Sequence, residues 1–125
     1  MERNENERNE EEIIKNFYEA FFIINPNINL FKLDKTVKEL ENTINSRAKN
    51  ILEIDHIGVK QLAYAVKGQN HGYYIYIPFK LEDTEENIIN KIQLIQNKIK
   101  QDNNIIKYIV VRTSEEELNA KKGYY

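Results

Sequence analysis

No cysteine occurs among these 125 residues, so neither a disulfide framework nor a thiolate metal site is available. Histidine appears twice, as His56 and His71. The two share no helical spacing and have no converging partners, which makes them a poor basis for a metal centre. Glycine appears four times, at Gly58, Gly68, Gly72 and Gly123, and never as a phosphate-cradling loop. No Gly-x-Ser-x-Gly elbow is present. No apolar run approaches the ~20 residues of a membrane span. The first residues are acidic, unlike a secretory signal or an Arg-rich transit peptide. Carboxylates are plentiful but fall where helices meet solvent, and nothing implies a pocket that would drive a pair of pKa values apart. These absences point away from an enzyme, and no cofactor or metal is expected.

The charge is distributed in three parts. Residues 1–12 hold six acids and two bases, residues 13–112 hold eleven acids and fourteen bases, and residues 113–125 hold three acids and two bases. A mildly basic body therefore sits between two acidic tails, which permits contact with nucleic acid. The expected organisation is an acidic, disordered extension over 1–12, a folded domain over 13–112 and a polar, flexible tail over 113–125. A lean toward helix is expected near residues 10–16.

Within the body, residues 17–24 are rich in aromatic and β-branched side chains and stop at Asn25-Pro26-Asn27, which reads as a strand and a turn. Val37, Leu40, Ile44 and Ala48 share one face of a helix over about 31–49. Residues 51–66 read as a strand with a bend or bulge at Gly58. A polar loop at 67–72 leads to a third strand at 73–81. Asp83-Thr84-Glu85-Glu86 reads as a capping box. It opens a helix whose buried stripe is Ile88, Ile92, Ile95 and Ile99, broken at Asn103-Asn104. Residues 105–112 form the last strand. The order β-α-β-β-α-β is the ferredoxin-like α+β arrangement, a four-stranded antiparallel sheet with both helices on one face.

Alternation then assigns the sheet faces. Tyr73, Ile75, Ile77 and Phe79, with Tyr18, Ala20, Phe22 and Ile24, should face the helices. Phe17, Phe21, Tyr74, Tyr76, Lys107 and Ile109 should face the other way, with Glu19 on the side of Phe17 and Phe21. A bare face this apolar marks a partner surface. Lys60 and Lys67 bracket Leu62-Ala63-Tyr64, and Lys100, Lys107 and Arg112 lie near the last strand, so phosphate contact and base stacking are open to this chain. Lysine is common throughout, so solubility explains the same residues as well. His71-Gly72-Tyr73-Tyr74 faintly echoes the Gly-aromatic strand of an RNA-recognition motif, with Pro78 interrupting the run.

Tyr18-Glu19, Asn25-Pro26, Gly58 with Leu62-Ala63-Tyr64, Gly72-Tyr73 and Val110-Val111 occur in an order and spacing that resemble one family, the sixth protein of the bacterial-type small ribosomal subunit. The likeness covers about residues 16–120. It implies a structural role with no catalysis, and binding of central-domain small-subunit rRNA together with a small basic partner, the eighteenth small-subunit protein. It implies that Tyr18, Lys60, Lys67, Lys107 and Arg112 stand at RNA-proximal or basic positions. It also implies that residues 113–120, including Thr113 and Leu118, lie against the protein partner, and that the chain resides on a ribosome with other ribosomal proteins, in the bacterial cytoplasm or an organelle. The sequence departs from the family pattern at Val59 and Gln61, which leave only Lys60 basic before Leu62, and at Ala65 in place of a proline. Fewer cations imply a shallower salt dependence of RNA binding. The alternatives are a stand-alone ferredoxin-like regulatory or dimerisation domain that binds a small effector, and an acyl-phosphate hydrolase. The second would need an arginine-bearing loop after the first strand, which Asn25-Pro26-Asn27-Ile28-Asn29 does not supply.

Overall fold

The computed structural model describes residues 12–46 and 49–122. The acidic stretch 1–11, residues 47–48 (Ala48 of the expected helical stripe among them) and residues 123–125 lie outside them. The elements are β1 (Ile13–Ile24), α1 (Leu30–Asn45), β2 (Asp55–Val66), β3 (Gln69–Thr84), α2 (Glu85–Lys100), β4 (Ile105–Thr113) and α3 (Glu115–Lys122). The strands form one antiparallel sheet in the order β2-β3-β1-β4. This is the ferredoxin-like α+β fold, with the short α3 added at the end.

Strand β1 is the organising element. It pairs with β3 without interruption from Ile13 opposite Thr84 to Ile24 opposite Tyr73, and with β4 along its other edge. Side chains alternate across a strand, so one register divides the sheet into two surfaces. Tyr18, Ala20, Phe22 and Ile24 join Ile75, Ile77, Phe79 and Leu81 in the core beneath α1 and α2. The helices bring Val37, Leu40 and Ile44 from one side and Ile88, Ile95 and Ile99 from the other, at the spacing that keeps apolar residues on one helical face.

Local chemistry sets the helix starts. The Asn29 side chain accepts from the Lys32 N–H at 2.8 Å, and the Thr84 hydroxyl accepts from the Asn87 N–H at 3.3 Å. The N-cap of α2 is therefore Thr84. Asp83, expected in that role, instead accepts from the Thr84 N–H and the Asn87 side chain.

The first helix ends at Asn45, short of the expected 49, and β2 starts at Asp55 instead of 51. Three further differences have clear physical reasons. Residues 13–16 extend β1, because the far end of β3 would otherwise leave its backbone groups unpaired. The expected loop at 67–72 contracts to a two-residue turn. Lys67 and Gly68 have φ of 49° and 78°, the left-handed pair that matches the twist of a tight hairpin, so β3 begins at Gln69. The polar tail contains α3. Its Ser114 hydroxyl accepts from the Glu117 N–H at 3.1 Å, the start of a Ser-x-x-Glu cap.

Pro78 lies inside β3 without breaking it. Its carbonyl accepts from the Leu52 N–H at 2.9 Å, so its missing N–H falls on the side where the β2 ladder has ended, leaving only a bridge between Ile51 and Phe79. Gly58, at φ 102°, accompanies the bulge expected there, and Ile57 is left without an opposite residue.

Gly72 is required by close approach. A β carbon at 72 would lie 2.2 Å from Ile23 Cγ2 and 3.6 Å from Leu62 Cδ2, so Ile23 packs across the glycine onto the hairpin. Gly72→Ala is therefore expected to destabilise the chain by about 1–3 kcal/mol, the usual cost of overpacking. Ile23→Ala in the same chain should return part of that loss. Chemical-denaturation midpoints of the two single variants and the double variant measure both effects.

Candidate partner-binding face

The surface of the sheet away from α1 and α2 is built from the odd residues of β1 and β4 and the even residues of β3. Phe17 lies opposite Thr113, Phe21 lies between Tyr76 and Ile109, and Ile23 lies between Tyr74 and Lys107. The Phe21 and Tyr76 rings are 4.9 Å apart and tilted. Ile109 and Val111 are exposed. The side assignment read from alternation holds for Phe17, Phe21, Tyr74, Tyr76, Lys107 and Ile109.

One carboxylate sits in the middle of this surface. Glu19 has Phe17 and Phe21 as its same-face neighbours along β1, and its side chain is only 7% exposed. The Tyr76 hydroxyl donates to Glu19 Oε2 at 2.7 Å, and Lys121 from α3 forms an ion pair with the same oxygen. Burial pushes this carboxyl upward. The hydrogen bonds from Lys121 and Tyr76 and the charge of Lys121 together outweigh burial and hold its pKa below the ordinary 4.5.

Next to this pair, Leu118 of α3 is buried at 6% exposure. It lines a cavity of about 130 Å³ with Phe17, Leu52, Tyr76 and Pro78. Thr113 donates its hydroxyl to Glu117 at 2.9 Å. Of the residues expected to meet a protein partner, Leu118 and Thr113 are thus engaged within the chain. Phe17 and Tyr76 lie partly under α3, while Phe21 and Tyr74 stay half-exposed beyond it. A shallow depression of about 550 Å³ opens there, lined by Phe21, His56, Ile57, Lys60, Tyr76 and Lys121 among others.

The candidate RNA residues do not converge on one spot. Lys60 and Lys67 belong to the β2–β3 hairpin, Lys67 at its tip. Lys107 and Arg112 are on β4, the opposite edge of the sheet, three strand spacings of about 4.8 Å away. Arg112 donates to the Asn16 side-chain oxygen at 2.8 Å, and the Asn16 amide donates to the Tyr18 hydroxyl at 3.2 Å. The Tyr18 ring is in the core, stacked 5.3 Å from Phe79, and presents no face to a base. Tyr64, beside Lys60 and Lys67 on the hairpin, is 78% exposed. Among the described residues no group of three or more acidic or histidine side chains could hold a metal, and no helix is long and apolar enough to cross a membrane.

Glu19, Lys121 and Asn16 are what the sequence reading left without a role. A charge flanked at i−2 and i+2 by phenylalanines was the available signal for Glu19, since alternation places all three on one face. Nothing local pointed to Lys121, whose role depends on where α3 docks.

A family model described as ribosomal protein S6 matches residues 17–112. The chain belongs to the ribosomal protein S6 family. Members of this family are structural, non-enzymatic proteins of the small ribosomal subunit. Among its relatives, the small ribosomal subunit protein bS6 of Koribacter versatilis is 30% identical over 105 residues, which cover 84% of this chain and 67% of that one. The bS6 of Moorella thermoacetica is 25% identical over 99 residues, covering 79% and 95%. The crystal structure of 30S ribosomal protein S6 from Thermotoga maritima superposes with a TM-score of 0.73 at 26% identity, covering 90% of this chain and all of that one. The S6 family match ends at Arg112, one residue before β4 ends and before α3 begins.

The depressed pKa of Glu19 makes this part of the chain acid-sensitive. The unfolded chain takes up the proton first as pH falls, so the pair's contribution is complete above the ordinary 4.5 and is lost as pH drops through the lower folded value. Urea-denaturation midpoints taken from about pH 7 to about pH 3 should show this acid limb, and Glu19→Gln should flatten it.

Proposed function

We propose that this chain is an architectural constituent of the small ribosomal subunit that binds central-domain rRNA together with the small basic eighteenth small-subunit protein. The observation that carries this reading is the match to the ribosomal protein S6 family over residues 17–112, which takes in all six elements of the β-α-β-β-α-β body. The geometry supports a division of labour. The β2–β3 hairpin runs past the last pairing with β1, at Ile24 opposite Tyr73, and ends in the Lys67-Gly68 turn. Its free end carries Lys60, Lys67 and the exposed Tyr64 ring, which suit a phosphate backbone and an unstacked base. Lys107 rims the open face from the other edge, and Arg112 stands at the far end of β4. The apolar open face suits a protein neighbour. Residence on a bacterial or organellar small subunit follows from the same reading.

Two measurements test it. In sucrose gradients the chain is expected to travel with free small subunits after a high-salt wash, and residence only at the top of the gradient would overturn the reading. In filter binding of the chain to its rRNA site, Lys60→Ala and Lys67→Ala are each expected to weaken affinity and to reduce the slope of log K against log salt by about 1, as loss of a single phosphate contact does. An unchanged slope in both variants would remove the hairpin from the RNA interface.

A further inference from the structure

Leu30 and Phe31 open α1 with relative exposures of 81% and 79%. The buried stripe of this helix is Val37, Leu40 and Ile44, with Leu33 packed against the same core. Two residues along a helix turn by about 200°, so Phe31 stands on the side away from Leu33. The pair lies close to the hairpin tip. The Asn27 amide donates to the Gln69 side-chain oxygen at 3.1 Å, which ties the turn before α1 to the residue just after the Lys67-Gly68 turn. Asn29, two residues on from Asn27, caps the helix and fixes where its first turn starts.

Charge decides what covers such a patch. Residues 25–33 and 57–72 carry Lys32, Lys60 and Lys67 and no carboxylate. The first turn of α1 has no acid, whereas α2 opens on Glu85 and Glu86. Asp34 is the first acid after Phe31, and Lys35 follows it. An apolar patch in a cationic field fits an anionic partner that also offers flat apolar faces, and unpaired nucleotides offer both. Paired bases do not, because their faces are already stacked in the duplex.

Resting on the RNA-binding reading above, we propose that Phe31 is a stacking platform for an unpaired nucleotide of the RNA held by the hairpin, with Lys32 and Lys67 on the flanking phosphates. The exposed Tyr64 ring and Phe31 are then platforms on two separate elements, joined through Asn27 and Gln69. Leu30 adds apolar area beside Phe31 and supplies no ring. Stacking of this kind tolerates any base, so the platform contributes affinity and placement of the strand and leaves base identity unread.

Filter binding of the full chain to central-domain rRNA across salt tests this, with urea denaturation as the control for folding. Phe31→Ala is expected to weaken binding about fivefold or more, as loss of one stacked base does, without changing the slope of log K against log salt. Phe31→Leu keeps apolar area but no ring and should lose as much, while Phe31→Trp should bind at least as tightly as the wild type. The denaturation midpoint should not move in any of the three, because the ring is exposed. Lys32→Ala should instead lower the slope by about 1. Unchanged affinity in Phe31→Ala, or wild-type affinity in Phe31→Leu, overturns the platform. The ribosomal reading still stands in that case if Lys67→Ala lowers the slope. If Phe31→Ala spares rRNA affinity but loosens the chain from small subunits in the gradient, the patch meets a protein and the platform is likewise overturned. Failure of the wild-type chain to bind the rRNA overturns both.

Discussion

The twelve-residue ladder between β1 and β3 is the constraint from which the rest of the molecule follows. Strand β1 is internal, so both of its edges are committed to hydrogen bonds and both of its faces must be covered or left bare as a set. With a side-chain period of two, a slip of one residue would carry Phe22 and Ile24 out of the core and drive Glu19 into it beneath the helices. The register is therefore held by apolar burial on one side and by the cost of burying a carboxylate on the other. The helices settle on the even-numbered face of β1, where Tyr18, Ala20, Phe22 and Ile24 present an unbroken apolar row.

The opposite face inherits a mixed character from the same register. Phe17, Phe21, Tyr76 and Pro78 surround one acid, and the chain resolves this with its own C-terminus. Leu118 removes apolar area from water, and Lys121 supplies the missing charge. The hairpin stands apart from this arrangement. Between Gln61 opposite His71 and Val66 opposite Gln69, β2 places four residues against one, so the arm is irregular where it leaves the body. It stays attached through Leu62, which is buried, and through the passage of Ile23 over Gly72. Protein-facing chemistry thus gathers on the sheet face, and cationic chemistry extends along the hairpin.

Much of this was legible in the residues. The stripe of Val37, Leu40 and Ile44 and that of Ile88, Ile95 and Ile99 mark both helices, since burial at helical period leaves a direct trace in sequence. The alternation in residues 73–79 marks which side of the sheet is bare. Gly58 marks a bulge. Other features were not visible in the same way. The reach of β1 back to Ile13 depends on a partner strand some seventy residues away, and no local preference records that. The shift from loop to tight turn at Lys67-Gly68 depends on two positive φ angles, one of them adopted by a lysine that ordinarily avoids them. The polar composition of residues 113–122 resembled a solvated tail because its single buried leucine has no periodic companion.

By itself, the sequence determined the order of elements, the two apolar helical stripes, the sidedness of the sheet and the family to which the chain belongs. Each of these is written in spacing that a reader can count along one segment. Only the tertiary structure decided that Arg112 reaches Asn16, that Lys60 and Lys107 stand on opposite edges, and that Lys121 answers Glu19. Those facts join residues as many as a hundred positions apart, and contacts of that kind exist only once strand order and register have brought the segments together.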